Sequence, residues 1–252
     1  MSKAHQRIMR EKLANEKFDF LPLFADETEN INIDIKKAIV KPVNYETAKK
    51  IILKYEWLGT MGTTQHHYGI YFDGSCAGVV CYGFFQGMQG YAKFVGEKYA
   101  KKGIQLSRGA CVYWAHKHSG SKLIAKSLDY IKKMGYKFVV AFSDPEAGEI
   151  GTLYQATNWY YLGFGTTKHF NLVYDNGKLF MNDRDFNKKY KYKNLNSFLE
   201  KNTNIKKQEI LPKARYIKLL GSKKEKQEMM KILKSRIVDY PKRSLNAEQK
   251  QS

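Results

Sequence analysis

The segment AFSDPEAGEIGTLYQATNWYYLG (141–163) sets a polar cluster directly after an apolar, strand-like run. Reactive groups in α/β proteins collect at such carboxyl ends of strands. Asp144 sits there, where a carboxylate is costly unless it caps, binds or reacts. Tyr154 follows on the next helical stretch, and a phenol in that place can give a proton to a leaving group or orient a nucleophile. A second segment, LSRGACVYWAHKHSGSKLIAKSL (106–128), puts Arg108 inside an apolar strand, where a guanidinium needs an anionic partner or a ligand. Ser119, Gly120 and Ser121 open a helix whose free N–H groups and dipole suit a phosphate or carboxylate, and Lys122 adds charge. Each residue also has an ordinary reading, Asp144 as a helix cap and Tyr154 as core. His66 and His67 precede Tyr68 at a strand start, while His116 and His118 flank Lys117. No metal site is expected, because Cys76 and Cys81 fall on opposite faces of a strand and no paired-cysteine ligand spacing occurs.

These residues need elements to hold them. Apolar spacing predicts a strand over 33–43, then a helix over 45–57 capped by Asn44, with Ala48, Ile51, Ile52 and Tyr55 on one face. Two strands follow, joined at Asp73-Gly74, a hairpin signal because both residues tolerate positive φ. A strand over 104–114 leads into a helix over 119–135 with a serine cap and Gly135 as its stop. A buried strand (136–145), a helix (150–163) and a hairpin about Asp175-Asn176-Gly177 (169–180) complete the order β-α-β-β-β-α-β-α-β-β. That order implies an α/β (α+β) fold with a mixed central sheet flanked by helices.

Charge narrows the partners. The 252 residues carry 44 Lys+Arg against 24 Asp+Glu, a net +20, and 43% hydrophobic content is enough for a sizeable core. Residues 181–252 hold 20 basic and 8 acidic side chains, or +12 of that excess, interleaved with aromatics and including the run KKYKYK. Lysines at 188, 189, 191 and 193 in that run suit a phosphate backbone, so nucleic acid is the expected partner, well ahead of an acidic membrane surface. The chain is accordingly divided into an N-terminal extension (1–32), a catalytic domain (33–182) and a basic, aromatic-rich C-terminal extension (183–252). No run approaches the roughly 18 apolar residues of a membrane span. Together with a charged N-terminus and an odd number of cysteines in apolar stretches (Cys76, Cys81, Cys111), this predicts a cytoplasmic chain with no membrane partner. A homodimer is left open.

Arg108, Ser121, Asp144 and Tyr154, in the settings LSRGA, SGSKLI, FSDP and GTLYQATNWYYLG, resemble the phage Mom family of DNA-modifying proteins, an outlying branch of the GNAT acetyltransferase fold. The string G-x-x-YQA-x-NW-x-Y-x-G is its most specific part, and the resemblance covers roughly residues 35–180. It implies transfer of a methylcarbamoyl (acetamido-type) group to the exocyclic amine of adenine in duplex DNA, shielding that DNA from restriction. By the same resemblance Arg108, Ser121, Asp144 and Tyr154 form the active-site set, with His67 or Tyr68 added from the preceding strand. Asp144 would deprotonate the amine, Tyr154 serve the departing group, Arg108 hold an anionic part of donor or DNA, and Ser121 orient the transferred group. The implied origin is a phage or mobile element in a bacterial host. The sequence departs from ordinary acetyltransferases at the strand-to-helix junction, where HKHSGSK replaces the Arg/Gln-x-x-Gly-x-Gly/Ala pyrophosphate loop. An acyl-CoA-type donor therefore stays open, the donor is otherwise unknown, and Ser119 to Lys122 are its expected contacts. A conventional N-acetyltransferase and a non-catalytic DNA-binding protein are the competing readings.

Overall fold

The computed structural model describes residues 5–15, 33–84, 87–165 and 169–242; parts of the expected N- and C-terminal extensions (1–4, 16–32 and 243–252) lie outside them. The described strands are β1 (Ile39–Pro42), β2 (His66–Phe72), β3 (Ser75–Gly83), β4 (Gly103–Cys111), β5 (Phe138–Ser143), β6 (Tyr160–Phe164), β7 (His169–Tyr174), β8 (Leu179–Asn182), β9 (Ile205–Ile210) and β10 (Ala214–Leu219). Seven form a mixed sheet in the order β1-β2-β3-β4-β5-β10-β6, with helices on its faces. The expected fold class is thus observed. The other three form a small antiparallel sheet, β8-β7-β9.

Local signals account for the first half. Asn44 caps α2 (Tyr45–Tyr55) by accepting the Thr47 N–H at 2.8 Å, and Ala48, Ile51, Ile52 and Tyr55 form its buried face. Asp73 and Gly74 both take positive φ, 43° and 85°, in the turn between β2 and β3. Helix α5 (Ser119–Lys133) buries Leu123, Ile124, Leu128 and Ile131 against the sheet, and the Ser127 and Tyr82 hydroxyls meet at 2.6 Å beneath it. The serine cap expected there is not made, since His118 occupies the cap position without a side-chain bond.

Two expectations are corrected. The helix read over 150–163 is one short turn, α6 (Thr152–Ala156), followed by β6. Asn158, at φ 57°, reverses the chain, and Trp159 then drives fully into the core. The boundary at 182/183 also fails to divide the molecule. β10 lies between β5 and β6 and pairs antiparallel with both, Tyr216 opposite Ala141 on one side and Tyr161 on the other. The last strand of the central sheet therefore comes from the segment read as an extension. Helix α9 (Lys223–Leu233) follows it, buries Met229 and Leu233 against α3 (Ala92–Val95), and is tied down by a 2.7 Å Glu225–Lys137 ion pair. The short α4 (Glu97–Ala100) adds Tyr99 to the same cluster.

What separates β6 from β10 is an insert over residues 165–213. It holds the small sheet, α7 (Asp183–Tyr190) and α8 (Leu195–Lys201) around a core of its own formed by Phe170, Leu172, Phe186 and Ile205. Helix α1 (His5–Asn15) lies at the other end of the chain and straps two loops together. Its His5 N–H donates to Ala147 O at 2.9 Å, its Arg10 guanidinium donates to Tyr113 O and Ala115 O at 3.0 and 2.7 Å, and Leu13 joins the main core.

Candidate active site

β4 and β5 are the parallel pair, but they pair only from Gly103–Leu106 to Phe138–Ala141. Beyond that Arg108 pairs only with Cys81 of β3, while Phe142 and Ser143 pair only with β10. A notch opens where the two strands part, at the carboxyl end anticipated for chemistry. Four segments reach it: the end of α2, β4, the loop after β5, and α6.

Glu56, at the C-cap of α2, is 6% exposed, and its Oε2 accepts the Leu58 N–H at 3.1 Å. Burial raises its proton affinity, and the Arg108 charge opposes that shift. Arg108 is gripped by the 60–62 loop. It donates from Nε to Thr60 O at 2.6 Å, from Nη2 to Thr60 Oγ1 at 3.1 Å and from Nη1 to Ser107 O at 2.7 Å. Glu149, half-buried, joins two elements: Oε1 accepts the Trp57 indole N–H and Oε2 the Asp144 backbone N–H, each at 3.2 Å. Burial raises its pKa too; the two N–H donors and Lys213 act against the rise, and the Asp144 charge adds to it. Tyr154 packs between Trp159 and Tyr216, with ring centroids 5.2 and 5.1 Å away. Burial, then the charges of Glu149 and Glu56, push its pKa well above that of a free phenol, so it remains a hydrogen-bond donor.

Two glutamates that sequence reasoning missed connect Arg108, Asp144 and Tyr154, through their charges and one hydrogen bond. Glu56 carries the link to Arg108, and Glu149 the links to Asp144 and Tyr154. Their one local signal is the scarcity of acids in a basic chain, with Glu149 third in the run DPEAGE. Asp144 itself makes the turn its ordinary reading anticipates, Oδ1 accepting the Glu146 N–H at 3.1 Å, while Oδ2 faces the Lys213 ammonium at 3.5 Å.

The remaining expected residues lie elsewhere. His67, Cys81 and Arg108 form one cross-strand row, so His67 shares the Arg108 face two strands away, held by Thr64 Oγ1 at 3.0 Å and against Tyr45. Tyr68 is not available to a substrate. Strand alternation turns it to the opposite face, where it is 4% exposed, stacked on Tyr130 and bonded to Met134 Sδ. Ser121 donates to His118 O at 3.0 Å and makes no contact with the notch among the described residues. The start of α5 does not fit a pyrophosphate. Lys122 turns its ammonium onto the Ile35 and Lys36 carbonyls, the Leu153 side chain lies against Gly120, and the Ser119 hydroxyl is fully buried without a partner. No step through a CoA-type donor is therefore derived. Lys188, Lys189, Lys191 and Lys193 are exposed on α7 and the turn after it. The insert has 11 basic and 5 acidic residues, a net +6. Its exit is fastened to the notch by the Lys213–Asp144 contact and by the Leu211 N–H bonded to Glu146 Oε1 at 3.0 Å.

The model of the Mom protein family matches residues 37–242. The chain belongs to that family. The Mom-family match takes in the notch, the insert and β10, well beyond the 35–180 over which the sequence motifs carried the resemblance. No curated protein matches the chain. Solved structures with similar arrangements include an IAA acetyltransferase from Bacillus cereus ATCC 14579 (11% identity, 73% of this chain and 99% of that one, TM-score 0.40). An N-acetyltransferase from Staphylococcus aureus Mu50 matches at 14% identity over 73% and 99% of the two chains, TM-score 0.42. A GNAT family acetyltransferase from Elizabethkingia anophelis, with acetyl-CoA bound, matches at 14% identity over 73% and 98%, TM-score 0.39. Among the described residues of this Mom-family chain, no three His, Cys, Asp or Glu side chains are grouped to hold a metal ion, and no helix is long and apolar enough to cross a membrane.

Proposed function

We propose that the chain is a group transferase acting on double-stranded DNA, placing a methylcarbamoyl (acetamido-type) group from a small-molecule donor on the exocyclic amine of adenine. The observation that carries this reading is the family match over 37–242, which takes in both the notch and the basic insert fastened to it. The amine of adenine is a weak nucleophile because its lone pair is delocalised into the ring. An enzyme must take it out of water, align it and remove a proton as the bond forms. Asp144 and Tyr154 flank that position, one accepting and one donating hydrogen bonds, and Arg108 supplies fixed positive charge. A paired base cannot reach the notch, so it must be flipped out at a cost of a few kcal/mol. Phosphate contacts from Lys188, Lys189, Lys191 and Lys193 offset that cost, with His67 at the edge of the contacted face.

Mass spectrometry of nucleosides from plasmid DNA of cells expressing the chain tests the proposal. A heavier adenine nucleoside, absent from control cells, is expected. Unmodified adenine in cells that accumulate folded protein would overturn the enzyme reading. Retained DNA affinity would then favour a binding protein, and acetylated proteins or small amines a conventional N-acetyltransferase.

A further inference from the structure

The notch contains a proton acceptor to which the sequence motifs assign no role. Asp144 has both carboxylate oxygens engaged, one in its own turn and one with Lys213. Glu149 is placed differently. Both of its oxygens accept neutral N–H groups, each at 3.2 Å, so neither is paired with a cation as the Asp144 Oδ2 is. It is half-buried, so a ligand in the notch can reach it, whereas Glu56 is too enclosed to be touched.

We propose that Glu149, rather than Asp144, takes the proton from the attacking amine. The assignment rests on the amine-modifying reading above. In the step, the adenine nitrogen forms a bond to the transferred carbon of an acetamido-type donor. The bond from that carbon to its leaving group breaks, the electron pair departs with the leaving group, and the amine proton passes to the Glu149 carboxylate. Tyr154 donates a hydrogen bond to the departing group.

The groups facing Glu149 fix the sign of its tuning. Asp144 comes from the end of β5, Lys213 from the exit of the insert, Tyr154 from α6, and Glu56 from the C-cap of α2. His5 of α1 packs edge-on to Trp57, its ring centroid 5.2 Å away. Burial and the negative neighbours Asp144 and Glu56 favour the protonated form, and the base works once it ionises. Activity should therefore rise with pH through a midpoint above the ordinary glutamate range. Removing the Glu56 charge should move that midpoint down.

Two measurements on the full chain test this. Modified adenine in cells is compared for the parent, Glu149→Gln, Glu149→Asp and Asp144→Asn, with folding checked by thermal melting. Glu149→Gln should lose at least about 100-fold, in the range of general-base removal, and Glu149→Asp should recover part of the loss. Tryptophan fluorescence is also titrated with pH, because Trp57 donates to Glu149 and reports its ionisation without any donor or DNA. The parent should show a transition that Glu149→Gln abolishes and Glu56→Gln shifts to lower pH. Unmodified DNA with the parent would refute the function while leaving the titration readable. A modifying parent with an active Glu149→Gln variant would refute Glu149 as the acceptor. A Glu56→Gln transition at the parental pH would refute the tuning.

Discussion

Gly151 precedes α6, the helix that carries Tyr154, at φ +66°. A Cβ added there would stand 2.5 Å from Cε2 and Cζ of Tyr216 and 2.7 Å from its hydroxyl oxygen. That ring cannot simply move aside, since its hydroxyl is bonded to Ile150 O at 2.7 Å and its faces meet Tyr154 and Tyr161 at 5.1 and 5.0 Å. Gly151→Ala combines two costs, about 1–2 kcal/mol for a left-handed alanine and about 1–3 kcal/mol for overpacking. The total of about 2–5 kcal/mol corresponds to a fall in Tm of roughly 4–20 °C for a domain of this size. Gly74→Ala is the control, because Gly74 is also left-handed, at φ +85°, but a Cβ there meets nothing within 4 Å. It should lose only about 2–8 °C. Thermal unfolding followed by near-ultraviolet circular dichroism reads both, since the tyrosine cluster supplies the signal. Adenine modification should fall further in the Gly151 variant than in the control. Equal melting temperatures for the two variants would refute the argument that Tyr216 walls in the start of α6.

Other outcomes follow from the same geometry. Asp144→Asn should reduce adenine modification at least tenfold, a loss of about 1.4 kcal/mol or more of transition-state stabilisation, with DNA affinity in a filter-binding assay within twofold of the parent. Replacing Lys188, Lys189, Lys191 and Lys193 together by alanine should flatten the slope of log Kd against log salt by up to about 3.6, roughly 0.9 for each phosphate no longer neutralised. The Glu225 carboxyl is held down to about 2 by its bonds to Lys137 and to the Ser222 backbone. The stability this adds is present above the ordinary glutamate range and is lost as pH falls from there toward about 2. Denaturant midpoints between pH 5 and 3 should therefore fall more steeply for the parent than for Glu225→Gln.

The sequence was most informative where structure is set by neighbours in the chain. Asn44 as a cap and Asp73-Gly74 as a turn are local chemistry, and both are found where expected. Spacing misled at 150–163, because Tyr160 and Tyr161 have the periodicity of a helix but pair with Ile217 and Tyr216 of β10. ARYIKL could be seen as strand-like, yet nothing within it says that it inserts between two strands made much earlier. The site divides in the same way. Asp144 and Tyr154 share one segment, and Arg108 stands out because its strand is apolar. Glu56 and Glu149 gain their meaning only when α2 and the loop after β5 meet at Trp57, a contact that no local pattern encodes.

The position of β10 also bears on how the protein is made. During synthesis β5 and β6 leave the ribosome while the strand that belongs between them is still untranslated, and the whole 165–213 insert must be produced first. At roughly 5–20 residues per second that wait lasts several seconds. Throughout it the edges bearing Val139, Ala141 and Tyr161 have no partner, the condition in which strands recruit chaperones or one another. Because Tyr216 also forms one wall around Tyr154, a nascent or prematurely terminated chain has an unfinished notch. Any chemistry in the notch is thereby withheld until the last strand of the sheet is in place.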